Sequence, residues 1–90
     1  MYYVYILISQ KDRMLYVGYA TDLKRRFQRH KNGFVAATKN RLPVELIHYE
    51  AYLTQSDAKR REIFLKGGKG HAELKIQIEK CLRKVKYKYL

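Results

Sequence analysis

Hydrophobic and polar positions change period along the chain, and each change marks an element. "YYVYILIS" alternates β-branched, aromatic and aliphatic residues, which predicts a strand. Alternation puts Val4, Ile6 and Ile8 on one face and Tyr3, Tyr5 and Leu7 on the other. The polar "QKDR" reads as a turn, and "MLYVGYA" as a second strand, so the chain opens with a β-hairpin. There Leu15 and Val17 share one face, and Tyr16 and Gly18 the other.

The period then lengthens. Thr21 or Asp22 can cap a helix that runs to about His30 and ends at "KNG", with Gly33 at the left-handed C-terminal position. A loop, "FVAATKNRLP", leads to a third strand, "VELIHYEAY". Thr54 with Asp57 three residues on resembles a capping box and predicts a second helix from about Gln55 to Lys66. "GGKG" breaks it. A third helix is expected from near His71, with Leu74, Ile78, Cys81 and Val85 on its apolar stripe. The end, "RKVKYKYL", alternates basic and apolar residues; a frayed helix end, a short strand and a flexible tail all fit it. The order β-β-α-β-α-α predicts an α+β fold, a three-stranded and mostly antiparallel sheet flanked by helices. One domain over residues 1–82 and a basic tail over 83–90 are expected.

Composition adds a partner. The chain has 90 residues, room for one small domain, and 47% are hydrophobic, enough for a core. Twenty Lys and Arg against eight Asp and Glu give a formal net charge of +12. A polyanion relieves that self-repulsion, and nucleic acid, DNA above all, is the leading candidate. An anionic membrane surface fits less well, because no helix sets a basic face against Trp, Phe and Leu. The opening "MYYVYILIS" has no basic leader or cleavage site, is too short to span a bilayer, and reads as a buried strand. The single cysteine, Cys81, excludes a disulfide framework and a thiolate metal cluster, and fits a reducing cytoplasm.

The candidate chemistry lies in polar residues that the periodicity turns inward. On the first helix Leu23 and Phe27 set the inward direction, while Lys24, Arg25, Gln28 and Arg29 point outward. Arg26 and His30, four apart, stack near the inward face. An arginine there can snorkel out and a histidine can be a satisfied boundary residue, or both can serve a site. On the second helix Ala58, Glu62 and Leu65 form a core stripe with a carboxylate in its middle. Glu62 either pairs with Arg61 or Arg26, or binds a hard divalent cation whose other ligands are waters and a phosphate. Tyr5 and Tyr16 project from the hairpin on the face opposite Val4, Ile6 and Val17. Two phenols, a guanidinium, an imidazole and a carboxylate can thus converge on one cleft, a set suited to phosphodiester hydrolysis.

"YVY" at Tyr3–Tyr5 followed by "YVG" at Tyr16–Gly18 resembles the two halves of the GIY-YIG nuclease signature. "TDLKRRFQRH", "LPVELIHYE" and "SDAKRREIFLK" are similar to the corresponding segments of small stand-alone UPF0213-type proteins, so that the likeness covers Tyr2 to Ile78. The resemblance implies a divalent-metal-dependent DNA endonuclease with a single Mg²⁺ or Mn²⁺. It implies Glu62 as metal ligand, Arg26 as phosphate-binding arginine, Tyr5 and Tyr16 as the paired tyrosines, one of them general base or relay, and His30 as their assistant. Tyr3 replaces the first glycine of the signature, Tyr19 stands where some relatives carry a lysine, and the late asparagine of larger relatives is missing. Lys24, Arg25, Arg29 and Lys31, with Lys84, Lys86 and Lys88 of the tail, are the expected nucleic-acid contacts. Branched, damaged or single-stranded DNA are the expected substrates. A non-catalytic nucleic-acid-binding module that keeps the fold is the alternative, distinguished by indifference to metal and to Glu62. A basic ribosome-associated protein fits the charge but leaves the inward polar residues unexplained.

Other chemistries lack their motifs. "KGGKG" follows a helix rather than a strand and is read as a helix break. No His-Glu-x-x-His and no paired-cysteine zinc pattern occurs. His48 and His71 are read as structural or exposed, and Cys81 as a small core residue.

Overall fold

The computed structural model describes residues 1–89. Strands β1 (Tyr2–Ser9), β2 (Leu15–Ala20) and β3 (Val44–Tyr52) form an antiparallel sheet in the order β2-β1-β3. Helix α1 (Leu23–Lys31) lies between β2 and β3 in sequence; α2 (Gln55–Lys66), α3 (Gly68–Gln77) and α4 (Glu79–Lys84) follow β3.

The first strand is central because it alone is apolar on both faces, and residues Val4 to Ser9 are buried without a break. Its alternation divides the core in two. Val4, Ile6 and Ile8 pack with Val17 of β2 and with Ala58, Leu65, Leu74 and Leu82 of the later helices. Tyr5 and Leu7 pack with Tyr16 and Ala20 of β2, Leu23 and Phe27 of α1, and Val44 and Leu46 of β3. A bulge on β3, where Ile6 faces His48 and Leu7 faces Leu46, leaves Ile47 as the extra residue. That shift lets Ile47 join the first cluster while Leu46 joins the second.

The local signals act as expected in the first two helices. Asp22 caps α1 by accepting the Arg25 N–H, and Gly33 follows the helix at φ +79°. Thr54 caps α2 by accepting the Asp57 N–H. The third helix differs from expectation in two ways. It begins at Gly68, inside the segment read as a break, with Gly67 alone in extended conformation between α2 and α3. Gly70 permits this: a Cβ there would stand 1.9 Å from the Phe64 carbonyl oxygen, so the two helices approach backbone to backbone. The helix also ends at Gln77. Ile78, at φ −117° and ψ 32°, turns the chain into the separate α4. The buried stripe is accordingly Leu74, Ile78 and Leu82, with Cys81 and Val85 partly buried beside it.

After α4 the chain closes on itself. Tyr87 is buried in the cluster beneath α2–α4, its hydroxyl 3.3 Å from His71 Nε2. Arg13, in the β1–β2 turn, donates to the carbonyl oxygens of Val85 and Lys86, and its own carbonyl accepts the Lys88 N–H. No helix among the described residues is long and apolar enough to cross a membrane.

Candidate active site

Hairpin pairing sets the two phenols. Tyr5 lies opposite Gly18 and Leu7 opposite Tyr16, so Tyr5 and Tyr16 are diagonal neighbours on the face covered by α1. Their ring centroids are 6.3 Å apart. Gly18 makes room for Tyr5: a Cβ there would stand 2.3 Å from Tyr5 Cζ and 2.4 Å from its hydroxyl oxygen. The glycine of "YVG" is thus the wall that the buried phenol leans on.

Helix α1 supplies the next pair. Asp22 fixes its start, which brings Arg26 and His30 one turn apart over the sheet. His30 is fully buried; its Nε2 is 2.7 Å from the Tyr5 hydroxyl and its Nδ1 2.7 Å from Thr38 Oγ1. The imidazole also lies edge-on to both phenols, 5.6 Å from the Tyr5 centroid and 5.2 Å from that of Tyr16. Arg26 Nε donates to the Tyr5 oxygen at 3.4 Å.

The electrostatics follow from burial and from Arg26. Burial, then the Arg26 charge, pushes His30 down to about 4, so the imidazole is neutral near pH 7. Burial raises Tyr5 against the opposing pull of the Arg26 hydrogen bond, so the phenol keeps its proton. The bond to Tyr5 in turn raises Arg26, which stays cationic. One proton assignment satisfies every group: Arg26 donates to Tyr5, Tyr5 to His30 Nε2, and His30 Nδ1–H to Thr38. The line fixes the Tyr5 proton toward the imidazole and the imidazole proton toward Thr38. Burial of Tyr5 and His30 puts this chain beneath the surface, while Tyr16 and Arg26 are partly exposed above it.

Glu62 reaches the site only through its charge. It lies close enough to Tyr5 to be among the charges that raise the phenol, but it bonds to none of the other four residues. The expected partners, Arg61 and Arg26, are engaged elsewhere. Arg61 forms a two-pronged pair with Glu50, at 2.9 and 3.3 Å, and Arg26 faces the phenols. Glu62 instead pairs along its own helix with Lys66 at 3.0 Å and Lys59 at 3.8 Å. The i,i+3 and i,i+4 spacings explain the exchange, because those lysines share the turn with Glu62. No group of three His, Cys, Asp or Glu side chains gathers among the described residues. A lone carboxylate does not fit a metal that needs three or four protein ligands. It does fit a hard ion that keeps its waters and takes further oxygens from phosphate.

The cations expected to contact nucleic acid divide into two groups. Arg25, Arg26 and Arg29 line a groove of about 380 Å³ between α1 and the end of β2, with Tyr19 and Ala20 on its other wall. Lys24 and Lys31 are exposed along the same helix. Lys84, Lys86 and Lys88 are exposed too, but they flank Tyr87 in the cluster on the opposite side of the sheet. They do not join the arginine groove.

Thr38 is the site residue that the sequence did not reveal. It lies in the loop after α1, fully buried, behind the imidazole. A threonine between "AA" and "KN" carries no periodic or motif signal, and only the folded loop shows its contact.

Comparison with known proteins agrees with this geometry. Residues 1–75 match the family model of the GIY-YIG catalytic domain. UPF0213 protein SSP2268 of Staphylococcus saprophyticus is 41% identical over 76 residues, covering 83% of this chain and 92% of that protein. UPF0213 protein CPE1444 of Clostridium perfringens is 34% identical over 88 residues, covering 97% of this chain and 94% of that protein. UPF0213 protein HQ_3675A of Haloquadratum walsbyi is 45% identical over 62 residues, 68% of each chain. No solved structure matches. The GIY-YIG domain is a nuclease-type fold that suggests nucleic-acid binding, and its nucleases generally use a divalent metal. With the signature tyrosines paired across the hairpin and the match running through α2 into α3, the chain belongs to the GIY-YIG family, as a member of its UPF0213 group.

Proposed function

We propose that this protein is a divalent-metal-dependent endonuclease that hydrolyses DNA phosphodiester bonds in the cytoplasm. The observation that carries the reading is the buried line Arg26–Tyr5–His30–Thr38 beside the arginine groove. A protein that only holds phosphates needs the groove; an inward chain of proton-bearing groups serves a reaction in which a proton moves.

Each residue then has a task. Arg25 and Arg29 seat the backbone, and Arg26 meets the charge that develops on the attacked phosphate. Tyr16, the phenol reachable from solvent, faces the attacking water. Tyr5, His30 and Thr38 hold the site's protons in place behind it. Glu62 would hold Mg²⁺ or Mn²⁺, releasing Lys66 and Lys59; when bound, such an ion supplies positive charge to the leaving oxygen.

The test is a cleavage panel of single-stranded, duplex, flap and junction DNA, and RNA, in EDTA, Mg²⁺ or Mn²⁺. Wild type should cut only with metal, and Glu62→Gln should lose activity by about 10²-fold or more. The lysine partners of Glu62 are about half exposed and glutamine is isosteric with glutamate, so the variant should stay folded, which circular dichroism checks. A Glu62→Gln protein that cuts as fast as wild type refutes the assignment. One observation favours the second reading, a non-catalytic binding module: both Glu62 oxygens already face lysines. That module would bind with a steep salt dependence, indifferent to metal and to Glu62, and would cut nothing.

A further inference from the structure

A second groove opens on the other flank of α1. It measures about 590 Å³, within the range of about 300–1,000 Å³ common for ligand sites, and lies between α1 and β3. Tyr3, Tyr49, Phe27 and Leu46 give it an aromatic and aliphatic floor, and Lys24 and Asp22 stand on its rim. Tyr3 and Tyr49 meet edge to face, with centroids 6.2 Å apart and planes at 64°. Tyr49 is 55% exposed, although it sits in the middle of a strand.

Two features say what this floor fits. The groove meets the arginine groove at Thr21 and Asp22, which line both, so one ligand can lie across the start of α1 with a part in each. The two parts differ in chemistry. The arginine side attracts phosphate. The aromatic side offers flat rings, and Asp22, which stands between the two grooves, can accept hydrogen bonds from amino groups such as those on base edges. A chain of alternating phosphates and flat bases matches that division, and the net charge of +12 favours it. A duplex keeps its bases stacked inside and offers none to a groove beside a helix; an unpaired strand can splay one outward.

We infer that the Tyr3–Tyr49 groove receives an unpaired nucleobase, which makes single-stranded nucleic acid, or a single-stranded branch of a duplex, the ligand this protein prefers. The inference rests on the nucleic-acid reading above and names the substrate form for the same face. Tyr49 is the stacking platform, Lys24 reaches the neighbouring phosphate, and the arginine groove takes the phosphate on the other side of α1.

The experiment is equilibrium binding in EDTA, so that no cleavage enters. The probes are a short single-stranded DNA with one fluorescent purine analogue that dims on stacking, and a duplex of the same sequence. Wild type should bind the single strand more tightly than the duplex and dim the analogue. Tyr49→Ala should weaken single-strand binding by about 5- to 150-fold, abolish the dimming and leave duplex binding unchanged; Tyr49→Trp should restore both. The exposure of Tyr49 makes the truncation tolerable to the fold, and circular dichroism checks it. Equal single-strand affinity for Tyr49→Ala and wild type overturns the groove assignment while leaving the nuclease reading intact. So does self-association that Tyr49→Ala abolishes while single-strand affinity is kept, which would give the groove to a second copy of the chain. Failure of both probes to bind brings down the nucleic-acid reading and this inference with it.

Discussion

Acid should loosen this protein earlier than its carboxylates can explain, and His30 is the reason. Its folded pKa lies near 4, against an ordinary value of 6.5. A base depressed on folding contributes its full stability above the unfolded pKa. That stability is lost as pH falls below 6.5, and the loss levels off below about 4. At about 1.4 kcal/mol per unit, the whole window is worth roughly 3 kcal/mol, and about 2 kcal/mol is gone by pH 5. Small domains have only about 5–15 kcal/mol in total. Asp12 and Glu50, held down to about 2 (Asp12 by the Arg41 hydrogen bond, Glu50 by Arg61, Tyr52 and His48 against the cost of burial), act lower. Their contribution is full above about pH 4.5 and is lost as pH falls toward 2. Urea unfolding at pH 7 and pH 5 reads the His30 window separately. With a slope of about 1–3 kcal/mol/M, the midpoint should fall by roughly 0.7–2 M. His30→Gln should be less stable at pH 7 and should lose most of the pH 7 to pH 5 difference. If that variant does not fold, NMR of the wild-type imidazole serves: it should remain neutral at pH 5. A midpoint that does not move between pH 7 and pH 5, or a His30 ring that titrates near 6.5, refutes the picture of a desolvated imidazole between Tyr5 and Thr38.

Further substitutions probe the same construction. Gly18→Ala drives a Cβ into the Tyr5 ring and should cost about 1–3 kcal/mol, read as a fall in Tm of roughly 4–8 °C per kcal/mol; the cost should shrink in a Tyr5→Ala background. Thr38→Val leaves His30 Nδ1 without its partner and should destabilise by about 1–3 kcal/mol in thermal unfolding; a neutral result would mean that the imidazole has another acceptor. Arg13→Ala removes two hydrogen bonds to carbonyl oxygens near the C-terminus and should lower amide-exchange protection after Lys84 while sparing β1; unchanged protection would show that Tyr87 and the Lys88–Arg13 backbone bond suffice to hold the segment.

The sequence carried most of the scaffold and part of the site. Period-two alternation in "YYVYILIS" separated the two faces of β1 correctly, because a strand apolar on both sides can only be central. Asp22 and Thr54 announced the starts of α1 and α2, because an oxygen that accepts a free N–H is a local device. Arg26 and His30 were legible as inward for the same reason, four residues being one turn. What escaped depends on contacts between distant segments. The closeness of α3 to α2 needs Gly70 against Phe64, and the Thr38 hydroxyl needs the folded loop. The partner of Glu62 was misjudged because Arg61, adjacent in sequence, points around the helix to Glu50. The exchange of ion pairs leaves the Glu62 carboxylate, whose side chain is only 14% exposed, paired with the two lysines of its own helix.

The central position of β1 has a kinetic consequence. Tyr5 hangs from a strand bonded on both sides, so no local opening can free it without separating the sheet. Its amide should exchange with solvent only as fast as the whole domain unfolds. Arg26 and the arginine groove belong to a nine-residue helix on the outside of the sheet, held to the phenol by His30. Under the proposed function, the phenol is then the fixed point of the site.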